Sequence, residues 1–302
     1  MEIVQKLQAS GYAPRTVRNV YFLAKAMFRD AQIAELIPLG ETPAILTRRQ
    51  LGKMRDADPT WRAKAQFSKV ELEALVSDDR VPLDRRAWYA LLGVGMLRTG
   101  EAAGLRWRSY EPDMKPLGRL EVSTSYDDGE TKTETPRWMP AHPVLAALLA
   151  EWKLQGWPAA FGRSPGPDDL VLPVTPEAKR KGRRKDPGSM RDRNYSWKRA
   201  QWDLDALGLR RRRVHDLRRT GVSLARGDGA DRDILRRGTH APPKDVMELY
   251  TTVEWAKLCT EVAKLKLDRR TGGRVLPLHT HVEQAPGDGE QTSHATGPSA
   301  RK

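Results

Sequence analysis

Arg98, Lys132, His215, Arg218, His240 and Tyr250 are the residues of this chain whose types and spacing can do chemistry. In Val214-His-Asp-Leu-Arg-Arg-Thr220, His215 and Arg218 are three apart, which puts them on one side of a helix. Asp216 falls in the first turn, where a carboxylate suits the helix dipole. In Gly95-Met-Leu-Arg-Thr-Gly-Glu101 an arginine stands between an apolar helix and a glycine turn. Such a guanidinium is part-buried and needs an anion. That anion is either Glu101 or a phosphate, whose geometry a guanidinium matches bidentately. Lys132 lies in Thr131-Lys-Thr133, just past a turn, and Tyr250 follows His240 by ten residues within Met247-Glu-Leu-Tyr250. Each also has a plain structural reading: a solvated basic helix start, an internal ion pair, a surface lysine, a tyrosine in a helix interface.

The elements that must carry these groups follow from hydropathy period. Val17, Val20, Tyr21, Ala24, Met27, Phe28 and Ala31 recur at helical steps and predict a helix over 14–36, ended by Pro38, Gly40 and Pro43. Residues 44–65 are basic and irregular and read as a linker. Ser68-Lys-Val-Glu71 is a capping box opening a second unit. Helices are predicted next at 83–97 and 99–105. Leu120, Val122 and Thr124 then alternate with polar residues, Asp127-Asp128-Gly129 marks a turn, and a second strand covers 132–139. Pro143 opens a helix over 144–154 that Gly156 closes. Residues 156–193 read as loop, with a mobile basic run at 179–185. Helices resume at 194–207, 216–226, 231–237, 244–251 and 254–266, and the tail from 271 is aperiodic and disordered.

The chain has 302 residues, with 53 Lys and Arg against 39 Asp and Glu, a formal net charge of +14. That charge favours polyanionic partners. One cysteine, Cys259, excludes an internal disulfide framework and a cysteine-rich zinc site. The apolar runs are too short for a membrane span, and the N-terminus lacks the pattern of a secretory signal. The expectation is an intracellular, nucleic-acid-facing protein.

In order along the chain, Arg98, Lys132, His215-x-x-Arg218, His240 and Tyr250 resemble the tyrosine recombinase (phage integrase) family. The resemblance covers about residues 66–260, and His215-Asp-Leu-Arg218-Arg-Thr and Arg98-Thr-Gly-Glu101 with Leu105-Arg-Trp107 carry it most closely. It implies a mainly α catalytic domain with a small antiparallel sheet over 66–270, preceded by a shortened helical DNA-binding domain and linker over 1–65. Residues 271–302 form the tail. The implied reaction is cleavage and rejoining of double-stranded DNA through a 3′-phosphotyrosyl intermediate on Tyr250. Arg98, Arg218 and His240 would stabilise the transition state, His215 would tune or deprotonate the nucleophile, and Lys132 would protonate the leaving oxygen. Glu101 and Asp216 would orient the Arg98 turn and His215. No cofactor or metal is implied, because the arginines supply the positive charge.

Arg48, Arg49, Lys179, Arg180, Arg183, Arg184, Arg211, Arg212 and Arg213 would line a DNA clamp by contacting phosphates. The family works as homotetramers on two duplexes through a Holliday junction and can draw on accessory DNA-bending factors. The 254–266 helix could then dock on a neighbouring subunit, burying Trp255, Leu258, Val262 and Leu265. The resemblance places the protein in the cytoplasm with the nucleoid. Two other readings use the same residues: a type IB topoisomerase-like DNA-relaxing enzyme, and a non-catalytic DNA-binding relative.

Overall fold

A computed structural model describes residues 2–40, 44–47, 50–51, 60–126, 136–176, 186–240 and 253–270. Lys132, Tyr250, Arg48, Arg49, Lys179, Arg180, Arg183 and Arg184 lie outside them. So do the turn expected at 127–129, the helix expected at 244–251 and the tail.

The N-terminal part is two helices, α1 (Glu2–Ala9) and α2 (Pro14–Ile33). Pro14 opens α2, where its missing N–H costs nothing. Val4, Val17, Tyr21, Ala44 and Leu51 form a small cluster, and the Tyr21 hydroxyl donates to Ala44 O at 2.7 Å. The buried stripe is narrower than the period suggests, since Met27 is 65% exposed. Helix α1 is absent from the sequence reading: it is short and buries only Val4. The linker also contains a short helix, α3 (Trp61–Ala65), where the sequence reads as irregular.

The main core begins with α4 (Lys69–Ser77). Its capping box is present: Ser68 Oγ accepts from Glu71 N–H at 3.2 Å, and the Glu71 carboxylate accepts from Ser68 N–H at 2.7 Å. Helix α5 (Leu83–Gly93) runs through the centre, with every residue from Ala87 to Leu92 buried. It stops short of the expected residue 97 because Met96 takes φ +53°, a left-handed conformation that turns the chain into α6 (Thr99–Gly104).

The sheet is three-stranded and antiparallel, β1 (Tyr110–Glu111), β2 (Arg119–Val122) and β3 (Arg137–Pro140), in that order. Leu120 faces Met139 and Val122 faces Arg137 in the register. The β2–β3 pairing matches the expected hairpin. Strand β1, with two residues, is too short to show an alternation.

Helix α7 (Pro143–Glu151) does not close at Gly156. It continues through a π-helical turn (Trp152–Gly156) into α8 (Trp157–Phe161), and Gly162 at φ +71° ends it. Trp157 stacks edge-on against Trp107 and Trp152, and Trp152 Nε1 donates to Val171 O at 2.7 Å. The stretch expected to be loop thus delivers Trp157, Leu170, Val171, Leu172 and Val174 to buried positions.

Among the described residues four further helices complete the core: α9 (Arg193–Ala206), α10 (His215–Gly227), α11 (Arg232–Thr239) and α12 (Trp255–Ala263). Helix α10 crosses α5 so closely that a β-carbon on Gly221 would lie 1.7 Å from Gly93 O. Gly221→Ala is therefore expected to cost about 1–3 kcal/mol or more through overpacking. Urea unfolding checks this, and an unchanged midpoint would contradict the crossing. Helix α12 packs on α11 and β3 of its own chain. Leu258, Val262 and Leu265 are buried there, which corrects the expectation that this face docks on a neighbour.

Candidate active site

Glu101 is the centre of the site. It lies in the first turn of α6, is 3% exposed, and meets three guanidiniums. Arg98, the residue before α6, reaches Glu101 Oε1 at 2.6 Å, and its backbone N–H donates to Oε2 at 2.7 Å. Arg137 from β3 binds both carboxylate oxygens at 2.9 and 2.5 Å. Arg218 from α10 comes within 3.7 Å of Oε2. Despite burial, the arginines hold the Glu101 carboxyl at about 2, against an ordinary 4.5.

One carboxylate among three guanidiniums leaves an excess of positive charge. Arg218 shows it most clearly. Burial, with Arg98 and Arg137 nearby, lowers its pKa to about 10, and Glu101 offsets this only in part. Its other partners are neutral dipoles: it donates to Met96 O, the carbonyl of the left-handed turn, and to Thr239 O. Arg137 Nε donates to the adjacent Gly238 O at 2.9 Å. Both cations thus cap the C-terminal end of α11, where the helix dipole is negative. They thereby fix His240, the residue following α11. Thr239 Oγ1 lies 2.8 Å from His240 Nδ1.

Partial burial first and Arg218 second push the pKa of both His215 and His240 below the ordinary 6.5, which favours the neutral ring. His215 lines a cleft of about 950 Å³ beside Thr99 and Gly100. Trp61, Tyr126, Arg193, Trp197 and Arg213 also line it, which makes an aromatic and basic wall.

Arg98, Glu101, His215, Arg218 and His240 are therefore gathered from three separate stretches of chain. Asp216 is buried and turned to Arg213 at 3.4 Å and Arg219 at 3.6 Å; its carboxylate serves those arginines rather than the His215 ring. Arg211 is 69% exposed and pairs with Asp205. Arg212 does not face a phosphate. Its side chain is 8% exposed, pairs with Glu71 at 2.8 Å and stacks on Phe67, so it is tied into the core. Arg137 is the site residue that the sequence reading missed, and β3 gives it no motif of its own. Among the described residues no group of three or more His, Cys, Asp or Glu could hold a metal ion, and no helix is long and apolar enough to cross a membrane.

No family model and no curated protein matches the sequence. Solved structures do. The integrase of transposon Tn1549, solved in complex with a circular intermediate DNA, aligns with 87% of this chain and 83% of its own at a TM-score of 0.58 and 15% identity. The integrase of mycobacterium phage Brujita aligns with 90% of this chain and 80% of its own at a TM-score of 0.50 and 15% identity. The fold is that of the tyrosine recombinases. Within this recombinase fold Glu101 draws together β3, the α6 turn, α10 and the end of α11.

Glu101→Gln tests that role. A carboxyl held at about 2 instead of 4.5 corresponds to on the order of 3 kcal/mol. The folded-state value lies below the unfolded one, so this stabilisation is complete above pH 4.5 and fades as pH falls toward 2. The variant is expected to lose about 3 kcal/mol near neutral pH, with the gap to wild type closing in acid. Denaturant unfolding across pH checks it, and a gap independent of pH would contradict the ion-pair account.

Proposed function

We propose that this protein is a site-specific DNA recombinase that cuts and rejoins strands through a 3′-phosphotyrosyl bond to Tyr250. The observation that carries the reading is the cationic excess around Glu101, three guanidiniums on one carboxylate, with His215 and His240 beside it. A phosphodiester in cleavage passes through a pentavalent state with extra charge on its non-bridging oxygens. Arg98 and Arg218 bind those oxygens, held in place by Glu101 before substrate arrives, which is preorganised electrostatic stabilisation. The Thr239 hydroxyl donates to Leu235 O at 2.9 Å and so accepts from His240 Nδ1–H; His240 donates a further hydrogen bond from Nε2 once the bound phosphate draws a second proton onto the ring.

Tyrosine has a pKa of ~10 and attacks poorly as the neutral phenol. The neutral His215 ring accepts the Tyr250 proton as the tyrosyl oxygen bonds to phosphorus. The P–O5′ bond breaks, and Lys132 gives its proton to the departing 5′-oxygen. A 5′-hydroxyl from a second strand reverses the sequence, so the phosphodiester is conserved without an external energy source. The basic stretches at 48–49 and 179–185, with Arg211 and Arg213, hold the duplex by its phosphates. The assembly is a homotetramer on two duplexes, assisted by DNA-bending factors, with an N-terminal helical domain ahead of the catalytic one.

The test incubates the full chain with a library of duplexes carrying a nick beside a randomised centre, so that cleavage releases a short fragment and traps the enzyme. A denaturation-resistant protein–DNA adduct is expected, and selected sites should then yield exchanged strands. Relaxation of supercoiled plasmid without exchange would favour a topoisomerase, and binding without an adduct would favour a non-catalytic relative.

A further inference from the structure

The linker before the catalytic core is fastened to the segment that carries His215 and Arg218. Arg213 lies 4.6 Å and Arg219 4.9 Å from the centre of the Trp61 ring. The same two arginines reach the buried Asp216 carboxylate, which also accepts the Arg213 backbone N–H at 3.3 Å. Trp61 and Asp216 therefore hold a pair of guanidiniums that brackets His215 and Arg218 in sequence. The fastening continues along the chain. Arg210 donates to Lys64 O, and Arg212 stacks on Phe67 at 4.6 Å. Phe67 N–H donates to Thr220 Oγ1 at 2.9 Å, and Thr220 Oγ1 donates to Asp216 O at 2.9 Å. An isolated Trp–Arg stack is surface decoration. Two stacks on one ring, sharing one buried carboxylate at the start of the catalytic helix, make a clasp.

We propose that Trp61 is a positioning residue, clasping the start of α10 through Arg213 and Arg219 and so setting the placement of His215 and Arg218. Its catalytic consequence rests on the recombinase reading; the clasp itself does not. The charges facing His215 are Arg218, Asp216, Arg219 and Arg213, so slackening the two clasp arginines changes the field at its ring.

The experiment uses the full chain with Trp61→Leu, which keeps apolar bulk but no ring face, and Trp61→Phe, whose smaller ring falls between. The first readout is the NMR titration of His215 in the free protein, assigned with His215→Asn. Wild type should titrate below 6.5; Trp61→Leu should move upward toward 6.5 at unchanged Tm, and Trp61→Phe by less. The second is single-turnover adduct formation at saturating protein on a nicked duplex from the library. Trp61→Leu should be slower by roughly 10–100-fold even at saturating protein, a deficit that weaker duplex binding through Arg213 does not produce. If Trp61→Leu lowers Tm, Trp61→Phe carries both readouts and must still shift. A His215 titration that does not move overturns the clasp, as does lost affinity with full rate at saturation, which would make Trp61 a DNA contact. A wild type that forms no adduct refutes the recombinase reading alone, because the titration still decides the clasp.

Discussion

Replacing Tyr250 with phenylalanine is expected to abolish the covalent protein–DNA adduct while leaving DNA affinity where it was. Phenylalanine keeps the ring and removes only the oxygen that, on the proposed mechanism, bonds to phosphorus. The cations that hold the duplex are untouched, and binding is dominated by such phosphate contacts. Gel shift and denaturing electrophoresis of the same reactions read both quantities. An adduct that persists in Tyr250→Phe would place the nucleophile elsewhere. Loss of binding together with the adduct would show that the residue acts in DNA recognition.

Lys132→Ala should be strongly impaired on an ordinary substrate and close to wild type on one whose bridging 5′-oxygen is sulfur. An alkoxide leaving group has a conjugate acid near the pKa of water, ~15.7, and departs slowly unprotonated. A thiolate leaves from a thiol of pKa ~8.5 and needs no acid. Arg218→Ala should be slow on both substrates, by about 10²–10³-fold, because in the proposed mechanism its guanidinium acts at phosphorus, whatever leaves. Single-turnover cleavage of the two substrates by the two variants separates the roles. Equal deficits for Lys132→Ala would make it a DNA contact and remove it from the chemistry.

The parts of this site legible in sequence are those written within one local element. His215 and Arg218 are helical neighbours, and Arg98 and Glu101 belong to one turn; their spacing already states that they meet. The β2–β3 pairing was legible for the same reason, since alternation is local. Arg137 was not, because its meaning comes from a carboxylate 36 residues away that only the tertiary fold supplies. Within the run at 210–213 only the place of Arg212 was illegible. Four consecutive arginines read as one basic patch, yet the backbone turns Arg212 inward against Glu71 and Phe67 while Arg211 and Arg213 stay outside. Helices α1 and α3 and strand β1 are too short to show a period. The Gly156 region misled because a π-helical turn lets the helix pass a glycine that would ordinarily end it.

The most direct test is to find the atom that holds the DNA. Adduct formed by the wild-type chain on a selected nicked duplex, with EDTA present throughout, is digested with nuclease and protease, and the peptides are sequenced by mass spectrometry. The account predicts a nucleotide linked through its 3′-phosphate to Tyr250, in undiminished yield with chelator because Arg98 and Arg218 supply the charge. A nucleotide on any other residue, a 5′-phosphate linkage, or an adduct that EDTA abolishes while binding persists would contradict it.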